Sequence, residues 1–206
     1  MMHAVVMRAC AGDGPGTEQG RVLWRVDDSE RGPVLYVLSP NRPDTRQLVD
    51  EAAALGSQPR TADYALLLKR LVEGQQWAFR LTANPVRSAS RGPGVRGKRY
   101  GHVTVEQQET WLQERSHGCG FSLVREGDDG EPERTFHVVR REQPVFGRQH
   151  PAGAGRDRVT IRRSTYDGLL TVTDADALRT ALVTGIGPSK AYGCGLLTLA
   201  RPGGLR

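Results

Sequence analysis

Five histidines, His3, His102, His117, His137 and His150, are the side chains of this 206-residue sequence best suited to moving protons near neutral pH. An imidazole can take the proton of a ribose 2′-hydroxyl or give one to a departing 5′ oxygen. Metal-independent RNA cleavage is therefore within reach of one well-placed histidine. Composition does not choose among the five. A second feature is GIGPSKAYGCGLLTLA, Gly185–Ala200, where four glycines, a proline and a lysine precede an apolar run. Glycine costs backbone entropy inside regular structure, so such a cluster implies positive-φ turns or close backbone approach. A third is the run from Arg140 to Arg163, which carries Arg140, Arg141, Arg148, Arg156, Arg158, Arg162 and Arg163 against Glu142 and Asp157. On a strand, Arg158, Thr160 and Arg162 alternate with Val159, Ile161 and Arg163, so one face would meet phosphates at regular intervals. A solvated outer strand explains the same charges equally well.

Composition narrows the chemistry. The net charge is +6, which suits nucleic acid without demanding it. Cys10, Cys119 and Cys194 are odd in number, far apart and without a CxxC pair, which argues against a disulfide framework or a cysteine zinc site. His117 and Cys119 lack further ligands, and no acidic cluster suggests a two-metal nuclease. Serine-hydrolase and P-loop spacings are absent. The expectation is no metal, no cofactor, no membrane span and no signal peptide: a cytoplasmic, reduced protein.

The elements that must hold these residues follow from periodicity and punctuation. MMHAVVMRAC reads as helix, with Met2, Val5, Val6 and Ala9 on one face. RVLWRVD and PVLYVLS around DSERG read as a hairpin, and SPNRPDTRQ as loop. DYALLLKRLVEG reads as a helix capped by Asp63, with Tyr64, Leu67, Leu68 and Leu71 inward. QWAFRLTANP is a strand ending at Pro85. VRSASRGPGVRGKRYG reads as a linker or mobile basic loop. TVEQQETWLQERS carries a capping box from Thr104 to Gln107. FSLVRE, RTFHVVRRE, RVTIRRSTYDG and GLLTVTD are strand-like, with a Gly/Pro/Arg loop over 143–157. Asp174 caps ADALRTALVTG, and CGLLTLA closes the chain as a strand. Trp24, Trp77 and Trp111 are assigned to packing. The order is α-β-β-α-β, linker, α-β-β-β-β-α-β. That is the rhythm of a duplicated ferredoxin-like βαββαβ unit, an α+β fold shared with RNA-recognition (RRM-like) domains. The expected division is 1–88, a linker over 89–101, and 102–206. The first unit lacks its N-terminal strand, since nothing ahead of His3 alternates.

Four segments, FRLTANPVRS, GKRYGHVTVEQQETWLQERSHGCGFSL, YDGLLTVTDADAL and GIGPSKAYGCGLLTLA, stand in the same order as in one family. The sequence from about Met2 to Ala200 resembles the RAMP-type CRISPR endoribonucleases, most closely the CasE family of type I-E Cascade systems. The resemblance implies tandem ferredoxin-like domains and metal-independent cleavage of precursor CRISPR RNA at the 3′ base of the repeat stem-loop. The expected ends are a 5′-hydroxyl and a 2′,3′-cyclic or 3′ phosphate. The expected partners are the repeat RNA, retained after cleavage, and the other Cascade subunits. MHAVVM is similar to the family's catalytic context, which puts the catalytic role, as acid or base, on His3; a tyrosine that assists in some members would fall before Met1. Under this resemblance Gly185, Gly187, Gly193 and Gly195 let backbone N–H groups approach a phosphodiester, with Ser189 among the RNA-binding residues of the same loop. Lys190 adds positive charge where the transition state gains negative charge. Arg156, Arg158, Arg162 and Arg163 grip the stem through phosphate. The alternative expectation is a non-catalytic RNA-binding structural subunit of the same effector complex.

Overall fold

The computed structural model describes residues 2–11, 21–52, 58–89, 98–127, 130–149 and 156–203. Helix α1 (Met2–Ala9) buries Val5, Val6 and Ala9, the face its periodicity predicts. Strands β1 (Leu23–Ser29) and β2 (Gly32–Leu38) form the expected hairpin, in register from Leu23↔Leu38 to Ser29↔Gly32. Helix α2 (Thr45–Glu51) occupies part of the stretch read as loop. The Asp44 carboxylate accepts from the N–H groups of Arg46 and Gln47 at 2.9 and 3.1 Å. The nearby prolines masked a proper N-cap. Val6, Cys10 and Trp24 make a small core with Met2, Val22, Leu35, Val37 and Leu48 around it.

The long helix expected over residues 63–74 is a single turn, α3 (Ala65–Leu68), with Asp63 capping Ala65 at 2.9 Å. Of the predicted inward face, Tyr64, Leu68 and Leu71 pack on the main core, and Leu67 is not among the residues of that core. The helix is also shorter than predicted. The Arg179 guanidinium donates to the carbonyls of Leu68 and Leu71 at 2.8 and 2.6 Å, satisfying them from outside and letting the chain turn away.

Strand β3 (Gln76–Ala83) follows. The hairpin of β4 (Val86–Ala89) and β5 (Lys98–Gly101) pairs the ends of the expected linker; residues 90–97 lie outside those described. Helix α4 (Val105–Gly118) has the predicted Thr104–Gln107 capping box and buries Gln108, Trp111, Leu112 and Ser116. Strands β6 (Phe121–Ser122), β7 (Val124–Glu126), β8 (Pro132–Arg134) and β9 (Phe136–Glu142) come next. Part of the expected 143–157 loop is a strand, β10 (Val145–Gln149), paired with β11 (Arg156–Thr160). The next strand, β12 (Arg163–Val172), merges two runs that were read as separate. Helix α5 (Ala175–Thr184) is capped by Asp174, as expected, and β13 (Leu197–Ala200) ends the sheet.

The central sheet has the order β13-β3-β12-β6, with β9 also on β12. Read along the chain, β3-α4-β6-β12-α5-β13 is a βαββαβ succession that begins at Gln76. Strand β3, assigned from sequence to the first unit, is thus hydrogen-bonded between β12 and β13. The stretch read as linker leaves and rejoins this unit between β3 and α4. In the first unit only β1 and β2 pair among the described residues.

The two faces of the sheet differ in kind. Phe79, Leu81, Tyr166, Leu170 and Leu197 bury one face against Trp111, Leu112, Leu178 and Leu182 of the helices. The other face is polar: Arg80 bonds Asp167 at 2.7 and 2.5 Å, and Thr82 meets Thr165 at 2.8 Å. The β1–β2 hairpin covers this face through Arg25, which is 2% exposed. Its guanidinium bonds Asp27 (2.7 and 2.9 Å), the carbonyls of Arg80 (3.0 Å) and Leu196 (2.9 Å), and Thr198 Oγ1 (2.9 Å). All five donors are engaged, the condition on which a buried guanidinium is tolerable.

Candidate nucleic-acid interface and active site

His3 stands half-buried on α1. Its Nδ1 accepts from Trp24 Nε1 at 3.4 Å, beyond the usual 2.7–3.2 Å range, so the bond is weak. Trp24 is 7% exposed, held on β1 in the small core. The other end of the same indole reaches the glycine segment. A Cβ on Gly193 would lie 2.9 Å from Trp24 Cζ3, and Gly193 has φ +76°. One tryptophan therefore touches both the histidine at the start of the chain and the glycine turn near its end.

The turn packs tightly. A Cβ on Gly187 (φ +78°) would fall 2.9 Å from Trp111 Cη2, and one on Gly185 would press Leu23 and Lys190. Several glycines thus make room for apolar side chains, which sequence alone did not indicate. The turn is also tied to the sheet: Ile186 N donates to Gly195 O (2.9 Å) and Gly195 N to Thr82 O (2.7 Å). Ser189 takes a left-handed conformation (φ 66°), and its Oγ accepts from Asn84 Nδ2 at 2.8 Å. A non-glycine residue held there stores about 1–3 kcal/mol, a cost often met at working sites. Among the described residues, the N–H groups of Gly187 and Ser189 have no hydrogen-bond partner. Lys190 Nζ turns inward to Gly187 O at 2.8 Å. Burial, then the nearby charges of Arg21 and Arg115, lower its pKa from the ordinary value.

The four arginines separate. Arg158 is exposed on β11 opposite Gly147. Arg156 pairs with Gln149 in the backbone, and its side chain lies outside the described residues. The ribbon ends at Thr160, so Arg162 does not continue its face. Its stem lies instead against the backbone of β5, where a Cβ on Gly101 would come within 2.7 Å of Arg162 Cδ. Arg163 donates to Glu142 at 2.8 Å, which compensates its charge. The ribbon still meets the turn: Phe146 packs on Tyr192 with ring centroids 4.8 Å apart. Arg163 and Gly193 line one cleft of about 240 Å³ with Arg80, Thr82 and Arg140.

Sequence reasoning missed three contributors. Trp24 was assigned to packing alone. Arg21 and Arg115 were not considered, although the Trp111–Arg115 spacing of i,i+4 was a readable signal; the Arg115 guanidinium sits 4.9 Å over the Trp111 ring. No group of three potential metal ligands occurs among the described residues, and none of their helices is long and apolar enough to cross a membrane.

Residues 1–201 match a family described as CRISPR associated protein. The chain is 32% identical over 208 residues to the CRISPR-associated endoribonuclease Cse3 of Thermus thermophilus, covering 97% of this chain and 88% of the relative. It is 27% identical to the CRISPR system Cascade subunit CasE of Escherichia coli, covering 97% and 98%. A solved structure of CRISPR endoribonuclease Cse3 bound to 19 nt RNA is similar with a TM-score of 0.73 at 26% identity, covering 97% of this chain and 88% of that one. The chain belongs to the CasE (Cse3) family of CRISPR-associated proteins.

Proposed function

We propose that this protein is a metal-independent endoribonuclease that cuts precursor CRISPR RNA at the base of the repeat stem-loop. It would keep its product as a Cascade subunit in the cytoplasm. The observation that carries the reading is Trp24, which contacts both His3 and Gly193. The relatives' names and the RNA-bound neighbour support the substrate class. In architecture we read two ferredoxin-like units: one from Gln76 to Ala200 and one to which α1, β1, β2 and α2 belong.

In this mechanism the 2′-hydroxyl loses its proton and its oxygen attacks the adjacent phosphorus. The bond to the 5′ oxygen breaks, and that oxygen gains a proton. The ends are a 2′,3′-cyclic phosphate and a 5′-hydroxyl. While Trp24 donates to Nδ1, a neutral His3 carries its proton on Nε2 and presents a donor. As base through Nε2 its proton sits on Nδ1 and the hydrogen bond is given up, so the adjacent indole then positions the imidazole by contact alone. The free N–H groups of Gly187 and Ser189 are donors for phosphate oxygens, and Arg158 for the stem. General acid–base help of this kind contributes about 10²–10⁴ in rate.

The test is cleavage of a labelled repeat hairpin in EDTA by the intact protein and by His3→Ala. Loss of cutting with binding retained supports the nuclease. Binding without cutting by the intact protein points to a non-catalytic RNA-binding subunit, a reading that the inward packing of Gly185 and Gly187 also favours.

A further inference from the structure

At the Gly185–Lys190 end of the turn, Lys190 lies within the field of two further cations, Arg21 and Arg115. Arg21 and Arg115 are exposed, and neither has an ion-pair partner among the described residues. Both lie close enough to weaken the hold of Lys190 on its proton. Trp111, beneath the Arg115 guanidinium, is 4% exposed, and its indole N–H is buried with no partner. Gly187 lies against the Cζ2–Cη2 edge of that indole, the edge adjoining the nitrogen, and its carbonyl holds the Lys190 ammonium at 2.8 Å.

Helix ends account for part of this. Arg115 is in the last turn of α4, and the Arg21 N–H donates to Val183 O in the last turn of α5, positions that favour positive charge. They do not account for a buried, unanswered N–H, which is costly unless a partner arrives. Three cations and an orphan donor are all hydrogen-bond donors or positive charges. The complementary ligand is a compact oxyanion with several acceptor oxygens.

We propose that Arg21, Arg115, Lys190 and the Trp111 indole N–H form a phosphate-binding site that takes one phosphodiester of the bound RNA, separate from the link on which His3 acts. This rests on the RNA-cleaving role proposed above. The site would hold the strand in register rather than take part in bond breaking, and its effect falls on affinity.

The experiment uses the full chain with His3→Ala, so that the RNA stays whole. Binding of the repeat hairpin is measured across a salt series for this parent, for Arg21→Gln, for Arg115→Gln and for the pair. The pair should weaken binding about tenfold or more. It should also lower the slope of log affinity against log salt by about 0.7–0.9, the value for one phosphate contact. Arg115→Lys should recover much of the slope, and Arg46→Gln, on α2, should leave it unchanged. Hairpins with a single methylphosphonate linkage should reveal one position that weakens the parent but not the paired variant. An unchanged slope together with no such position, in a parent that binds RNA, overturns the site and leaves the RNA role standing. A parent that binds no RNA overturns both. If inorganic phosphate raises the melting temperature of the parent but not of the pair, with no linkage dependence, the ligand is a free anion and the RNA assignment is wrong.

Discussion

Gly193→Ala is the most informative single perturbation of the turn. Gly193 sits at φ +76°, where an L side chain costs roughly 1–2 kcal/mol. In addition its Cβ would lie 2.9 Å from Trp24 Cζ3, closer than side chains tolerate, so the indole must move by several tenths of an ångström. The Nε1 of that indole already reaches His3 at only 3.4 Å. Displacing a positioning contact by about 1 Å can cost on the order of 10² in rate. The comparison is Gly74→Ala, with φ +81° and nothing within 4 Å of an added Cβ, which imposes the same backbone penalty without touching Trp24. Both variants should lose about 2–8 °C in melting temperature for 1–2 kcal/mol in a chain of this size. Only Gly193→Ala should lose cleavage, by about 10–100-fold in single-turnover assays of the repeat hairpin, with affinity within a few-fold. Equal cleavage by the two variants would refute the coupling of turn, tryptophan and histidine.

Other perturbations separate the parts. Arg25→Met leaves Asp27 without its main partner at the junction of hairpin and sheet, and should cost about 3 kcal/mol in urea unfolding, since breaking a buried pair is worth about 3–5. Arg158→Ala should weaken hairpin binding and lower its salt slope by about 0.7–0.9. Arg163→Ala should change the slope less, because Glu142 already compensates that charge. Burial pushes the Cys194 thiol from 9.0 up to about 12. Above pH 9 the unfolded thiol ionises while the folded one stays protonated, so the folded state binds more protons and stability falls as pH rises toward 12. Cys194→Ala should make the melting temperature fall less steeply between pH 9 and 11; an unchanged profile would argue that this thiol is not protected.

The helices of the second unit were readable because their signals are local. Thr104 and Gln107 sit three residues apart, Asp174 precedes an apolar period, and both caps form. The hairpin at DSERG was equally legible. What failed depends on contacts distant in sequence. Nothing in DYALLLKRLVEG indicates that Arg179, more than a hundred positions on, takes its carbonyls and ends it. Strand β3 carries no mark of its partners, so its place between β12 and β13 went unread. The alternation in RVTIRR was real, but the strand ends at Thr160, and Arg162 turns to Gly101. At the site, the glycine cluster correctly signalled close approach. Which groups approach was not legible, because Trp24 and Trp111 come from a strand and a helix far upstream.

The central claim is that His3 and the glycine turn serve one chemical step through Trp24. A double-mutant cycle on single-turnover cleavage, with His3→Ala, Gly193→Ala and both together, tests it most directly. If the turn acts by holding the imidazole, Gly193→Ala should cost nothing further once the imidazole is gone, and the double variant should match His3→Ala. Losses that multiply, with the double variant slower than His3→Ala by the full Gly193→Ala factor, would show two independent effects and contradict the account.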